Sequence, residues 1–151
     1  MKSLRANLGA ASSVCSGMIK PLIAAVLMLG DLAQEHDVRV AMWQLMADTR
    51  YGFARTEEAL FIVRDAEGQL SFVRWPSRGL AHQTHWVGAL PRGAVAIAHT
   101  HRNWVPEPSG VDIHTARRSG LPVYVVTRTR ITRTDGRETT TVAAGKWAPG
   151  R

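Results

Sequence analysis

A single α/β domain, a mixed β-sheet with helices on its faces, is the fold class predicted by three features of the sequence. Helical and strand-like periodicities alternate in the order helix, hairpin, strand, helix, strands. The chain of 151 residues, 45% hydrophobic, is large enough for one real core and is read as one domain. Its single cysteine, Cys15, excludes a disulfide framework and a cysteine-based zinc site. No repeat or low-complexity segment interrupts the pattern.

At the N-terminus, Met1 to Ile19 carries few charges, and Lys20 precedes an uncharged apolar run from Pro21 to Gly30. A bilayer span needs about 20 such residues, so no transmembrane segment is expected in the mature chain. The run has the character of a signal-peptide core, with Ala33 as cleavage point and Met18 as an alternative start. Asp31 stands against that reading, because a small residue is wanted before the cut. The other reading is a buried first helix with Asp31 as N-cap and Gln34 at N3. Residues 1–33 are thus a leader or an apolar helix, giving an exported or a cytoplasmic chain respectively; 34–145 form the domain and 146–151 a tail.

From Leu32 to about Thr49, Val38, Met42, Leu45 and Met46 recur at three- and four-residue steps, extended by Trp43, and Tyr51-Gly52 ends the helix. Ala59–Val63 is an apolar run of strand length, Asp65–Gly68 a turn, and Gln69–Trp75 the alternating return strand of a hairpin. Pro76 to Arg92 reads as loop; its His82 and His85 lack a neighbouring carboxylate or cysteine and are taken as loop residues near a cleft. Ala94–Thr100 is a strand, and a helix runs from Ser109 to about Ser119, ended by Gly120 with Pro122 beyond. Val123–Thr127 is a buried strand. Ile131–Thr134 and Glu138–Val142 flank an Asp135-Gly136 turn, and the tail from Ala143 is expected to be loose.

The formal charge is +7 and the isoelectric point about 10.7. The basic residues are scattered, with a mild run at Arg128, Arg130 and Arg133, and no basic motif interleaved with aromatics occurs. A solvated basic surface is the simpler reading, and no specific nucleic-acid partner is expected.

The chemistry concentrates in Ala94–Asp112, AVAIAHTHRNWVPEPSGVD. Side chains two apart on a strand share a face, so His99 and His101 project together. A proline-rich loop leads to Ser109-Gly-Val-Asp112 at a helix start. Two neutral imidazoles and a carboxylate make a three-ligand zinc site with a fourth position open to water, the layout of a hydrolytic centre. Ser109-x-x-Asp112 is also a capping-box signature, and a helix start is a good place to fix an aspartate ligand.

This pattern, H-x-H-x7-S-x2-D, filled by His99, His101, Ser109 and Asp112, resembles the signature of the JAMM (MPN-domain) zinc metalloproteases. The similarity continues through Ala116, Gly120-Leu121-Pro122 and Val123–Val126, and one departure is Arg102 where proline commonly follows H-x-H. The resemblance implies a JAMM/MPN-like layered domain that binds Zn²⁺ through His99, His101 and Asp112 and hydrolyses a peptide or isopeptide bond of a peptide or protein substrate. It also implies a glutamate base just before the first apolar strand. Glu58-Ala-Leu-Phe-Ile-Val63 fits that frame, with Glu57 the adjacent alternative, since only one of two neighbours on a strand can face the metal. Ser109 would donate to the developing oxyanion. Rival readings are a non-catalytic MPN scaffold and a RadC-type protein, whose motif carries H-N-H where Thr100 stands here. A zinc deaminase would need H-x-E and P-C-x-x-C, which one cysteine excludes.

Overall fold

A computed structural model of the chain describes residues 30–76 and 86–150. The expected leader before Gly30, and His82 and His85, lie outside the described residues. Among those described, no helix is long and apolar enough to cross a membrane.

Among the described residues the α-helices and strands are α1 (His36–Asp48), β1 (Ala59–Arg64), β2 (Leu70–Arg74), β3 (Ala94–Thr100), α2 (Gly110–Ser119), β4 (Val123–Thr127), β5 (Arg130–Thr134) and β6 (Thr139–Ala144). The strands form one six-stranded sheet in the order β2-β1-β3-β4-β5-β6. It is mixed: β3 and β4 run parallel, joined through α2, and every other neighbouring pair is antiparallel. A parallel pair needs a crossover, and α2 supplies it.

The central strands are apolar on both sides because each side is covered. On one side Leu60, Ile62, Ala98, Tyr124, Val126 and Ile131 pack under α1, which contributes Val38, Met42, Leu45 and Met46. On the other, Phe61, Ile97 and Val123 pack with Ala116 of α2 and with Trp75 and Trp86. The first helix is shorter than its periodicity suggests. Leu32–Gln34 forms a separate 3-10 turn, and Glu35, at ψ 133, breaks it from α1.

Asp31 caps that turn, accepting from the Ala33 amide at 2.9 Å. It also receives the Tyr124 hydroxyl at 3.0 Å and Arg133 at 3.1 Å, and Ala33 itself is fully buried. A cut after Ala33 would remove these ties to β4 and β5. The tail, expected to be loose, is instead anchored. Trp147 is 2% exposed, donates its indole N–H to Thr127 O at 2.9 Å and meets Trp43 edge-on. A large indole with its polar edge satisfied outweighs the local signal of the surrounding glycine and proline.

The Asp135-Gly136 turn explains its glycine. At φ 88 a Cβ would sit 2.8 Å from the Arg117 amide nitrogen, so only glycine lets the β5–β6 turn close against α2.

Candidate metal centre

Strand register decides which side chains meet. Ala59 pairs with His99 across β1 and β3, and the Thr100 amide bonds Glu58 O at 2.9 Å. Partners directly across an antiparallel ladder share a face, so continuing the ladder sets Glu57 beside His101 on the α2 side. The Thr100 hydroxyl accepts from the Glu58 amide at 3.0 Å and locks this register. Glu58, expected from the sequence to face the metal, therefore points away, with its carboxylate 3.6 Å from Arg74. Glu57 takes the inward position, 3.8 Å from His99 Nδ1.

The two imidazoles stand edge to face with centroids 4.7 Å apart. His101 Nδ1 lies 2.9 Å from Val105 O. A carbonyl can only accept, so Nδ1 carries the proton and Nε2 of the neutral ring presents its lone pair. That Nε2 is 3.6 Å from Asp112 Oδ2, while His99 Nε2 is 2.9 Å from Asp112 Oδ1. Close as it is, the His99 contact lacks hydrogen-bond alignment, and Nε2 is a buried polar nitrogen without a partner among the described residues.

Asp112 reaches this place because it is the N3 residue of a complete capping box on α2. Its Oδ2 accepts from the Ser109 amide at 2.6 Å and the Ser109 hydroxyl at 2.7 Å, while Oδ1 is turned to His99. The helix-start reading of Ser109-x-x-Asp112 is what the structure shows, and its geometry leaves Asp112 Oδ1 facing the histidines.

The charges support one another. Burial pulls the His99 pKa down, but Asp112 and Glu57 outweigh it and lift the group to about 9. Burial, then the neighbouring His99, lowers that of His101. Burial would raise the Asp112 carboxyl, yet His99 and the Ser109 donors hold it well below the usual carboxylate range. Without a metal the pair is an imidazolium beside a carboxylate.

One ligand atom each from Glu57, His99 and His101 lies within 4.8 Å of the others, so this group could hold a metal ion. Asp112 adds a fourth donor. Zinc bonds of about 2.0–2.1 Å at tetrahedral angles put donors about 3.3 Å apart. The 2.9 and 3.6 Å separations bracket that value. Nitrogen and oxygen donors at this spacing suit zinc.

The group opens into a cavity of about 780 Å³. Trp75, its ring tilted 40° against that of Phe61 with centroids 5.2 Å apart, forms one wall, and the 102–105 loop forms another. In that loop Arg102 lies over the Trp104 indole, 5.4 Å from the ring centroid. Asn103 fastens it, donating to Tyr51 O at 2.6 Å and accepting from the Arg128 amide at 2.9 Å. Gly52, at φ 81, leaves the room, because a Cβ there would meet Asn103 Oδ1 at 2.7 Å. Sequence reasoning missed Trp75, Asn103 and Val105 as parts of the site. Only the loop's place after H-x-H hinted at the last two.

The family model Prok-JAB, described as prokaryotic homologs of the JAB domain, matches residues 23–142. A search of curated proteins and a search of solved structures returned no match.

Proposed function

Because the chain belongs to the family of prokaryotic homologs of the JAB domain, we propose that it is a zinc-dependent metallopeptidase or isopeptidase, hydrolysing an amide bond in a peptide or a ubiquitin-like conjugate. The observation that carries this reading is the convergence of Glu57, His99, His101 and Asp112 on one cavity, with His99 Nε2 buried 2.9 Å from Asp112 Oδ1.

His99, His101 and Asp112 would hold the zinc, which when bound supplies Lewis-acid polarisation of the scissile carbonyl and makes water acidic near neutral pH. The Val105 carbonyl keeps His101 in the tautomer that offers Nε2. Ser109 holds Asp112 through both its amide and its hydroxyl. If the hydroxyl turns to the substrate, the amide still fixes the aspartate, and the hydroxyl donates to the oxygen gaining negative charge. One such donor is worth about 3 kcal/mol of barrier.

Glu57 serves as the base in this reading. It takes a proton from the attacking water and returns it to the amine nitrogen as the carbon–nitrogen bond breaks. Its place beside His99 Nδ1, on the cavity wall, supports the role in preference to Glu58, which pairs with Arg74. A zinc-loaded chain is expected to cleave members of a fluorogenic peptide and isopeptide panel, and a chelator to abolish cleavage. Failure to cleave any member while carrying one zinc per chain would favour a non-catalytic scaffold instead.

A further inference from the structure

We propose that Asn103 is a positioning residue for the metal centre: it clamps the turn whose Val105 carbonyl sets the His101 ring in the tautomer that offers Nε2. Its consequence for zinc affinity rests on the reading of His101 as a ligand; its consequence for the ring does not.

The backbone and the ring of His101 are held by different parts of the chain. Its amide bonds Val126 O on β4 at 2.9 Å, which fixes the end of the motif strand. Its ring is held from the loop, where Nδ1 meets Val105 O at 2.9 Å. A turn closed by the Val105 amide on Arg102 O, also at 2.9 Å, carries that carbonyl. Burial does little to anchor this turn, because Trp104 is 63% exposed and Val105 45%. Asn103 is the second residue of the turn, and both ends of its side-chain amide are used. Nδ2 donates to Tyr51 O at 2.6 Å, and Oδ1 accepts from the Arg128 amide at 2.9 Å. One side chain thus ties the turn to the link after α1 and to the segment between β4 and β5, 52 and 25 positions away.

The receiving side is shaped for this amide. Arg50, Tyr51 and Gly52 have φ 51, 57 and 81, three successive residues in the left-handed region. Two of them carry a Cβ, and such a conformation persists only where the surroundings enforce it. Here the Tyr51 ring lies against Trp43, centroids 5.4 Å apart, and the Tyr51 amide bonds Met46 O. The outcome is a Tyr51 carbonyl presented to Asn103 beside a glycine that leaves it room, since a Cβ on Gly52 would sit 2.7 Å from Asn103 Oδ1. Aspartate is only half a substitute, because it keeps the acceptor for Arg128 and loses the donor to Tyr51. Groups behind a histidine ligand fix its tautomer and orientation, and their loss typically lowers metal affinity about ten- to a hundredfold. Asn103 acts one step further back, by placing the carbonyl that does so.

The test is nitrogen-15 NMR of the histidine rings in the metal-free full chain at about pH 8, above the ordinary imidazole range. Zinc affinity is measured in parallel by competition with a chromophoric chelator, and thermal unfolding confirms that each variant is folded. The His101 signals are identified by their loss in His101→Ala. In the wild type Nδ1 should carry the ring proton. Asn103→Ala should mix the two tautomers and weaken zinc binding about ten- to a hundredfold. Asn103→Asp should fall between it and the wild type. A His101 ring that keeps its Nδ1 proton unchanged in Asn103→Ala overturns the proposal. So does a loss of zinc affinity without any change of tautomer, since Asn103 then acts by another route. If the tautomers mix in Asn103→Ala and the wild type takes up no zinc, the metallopeptidase reading falls and this one stands. Zinc-dependent cleavage by the wild type, with the ring unchanged in Asn103→Ala, leaves the reverse.

Discussion

One peptide bond separates Glu57 from Glu58, and the pleat turns them to opposite sides of the sheet. The pairing of Ala59 with His99 puts Glu57 on the side of the imidazoles and gives Glu58 to Arg74. Glu57→Gln is expected to retain zinc and to lose about 100- to 10,000-fold in amide hydrolysis, the usual range for a general base. Glu58→Gln should change the rate only a few-fold. Kinetics with parallel metal analysis separates the outcomes. Loss of zinc together with activity in Glu57→Gln would make Glu57 a ligand, and loss of activity in Glu58→Gln alone would contradict the register. The sequence could not choose between them because Ala59-Leu60-Phe61-Ile62 is apolar and buried at every position. A strand covered on both sides shows no period of two, so the parity at its entry is unmarked.

At the scale of elements, the motif strand, its loop and α2 form one unit. β3 brings the histidines in, the loop returns the Val105 carbonyl to His101, and the first turn of α2 delivers Asp112 already aimed by its capping box. Much of this was legible. Alternation over Ala94–Thr100, the Ser-x-x-Asp start and Gly120, which adopts φ 70 as the helix C-cap, are local signals, and the elements they mark occur where those signals lie. What was not legible depends on partners distant in sequence. Trp147 lies in a segment of glycine and proline character, and its place in the core is set by Trp43 and the Thr127 carbonyl, 104 and 20 positions away (147 − 43 and 147 − 127). Trp147→Ala is expected to cost about 3–5 kcal/mol of unfolding free energy through the cavity it leaves. Denaturant unfolding measures it, and a loss under about 1 kcal/mol would mean the tail is not part of the core.

For the whole molecule, the sheet acts as a partition. The α1 side is a closed apolar core, and the α2 side ends in the cavity with the candidate ligands. A metal ion held as proposed would compete with protons for the same groups, which ties global stability to pH. His99 rises from 6.5 to about 9 on folding, so its protonated form stabilises the metal-free protein fully below pH 6.5, and that contribution is lost as pH climbs to about 9. Asp112 is lowered from 3.8, so its contribution is present above that value and is lost on acidification below it. Metal-free protein should therefore melt at falling temperatures between pH 6.5 and 9. The zinc-loaded protein should not follow, because the ion binds the neutral imidazole and stabilises the folded state by mass action. Parallel melting profiles with and without zinc would contradict the shared use of His99. The measurement that tests the account most directly is elemental analysis of purified wild-type and His101→Ala protein after zinc loading and desalting. About one zinc per chain in the wild type and little in the variant is the expected result for a site of two histidines and one aspartate. Equal metal content in the two would contradict it.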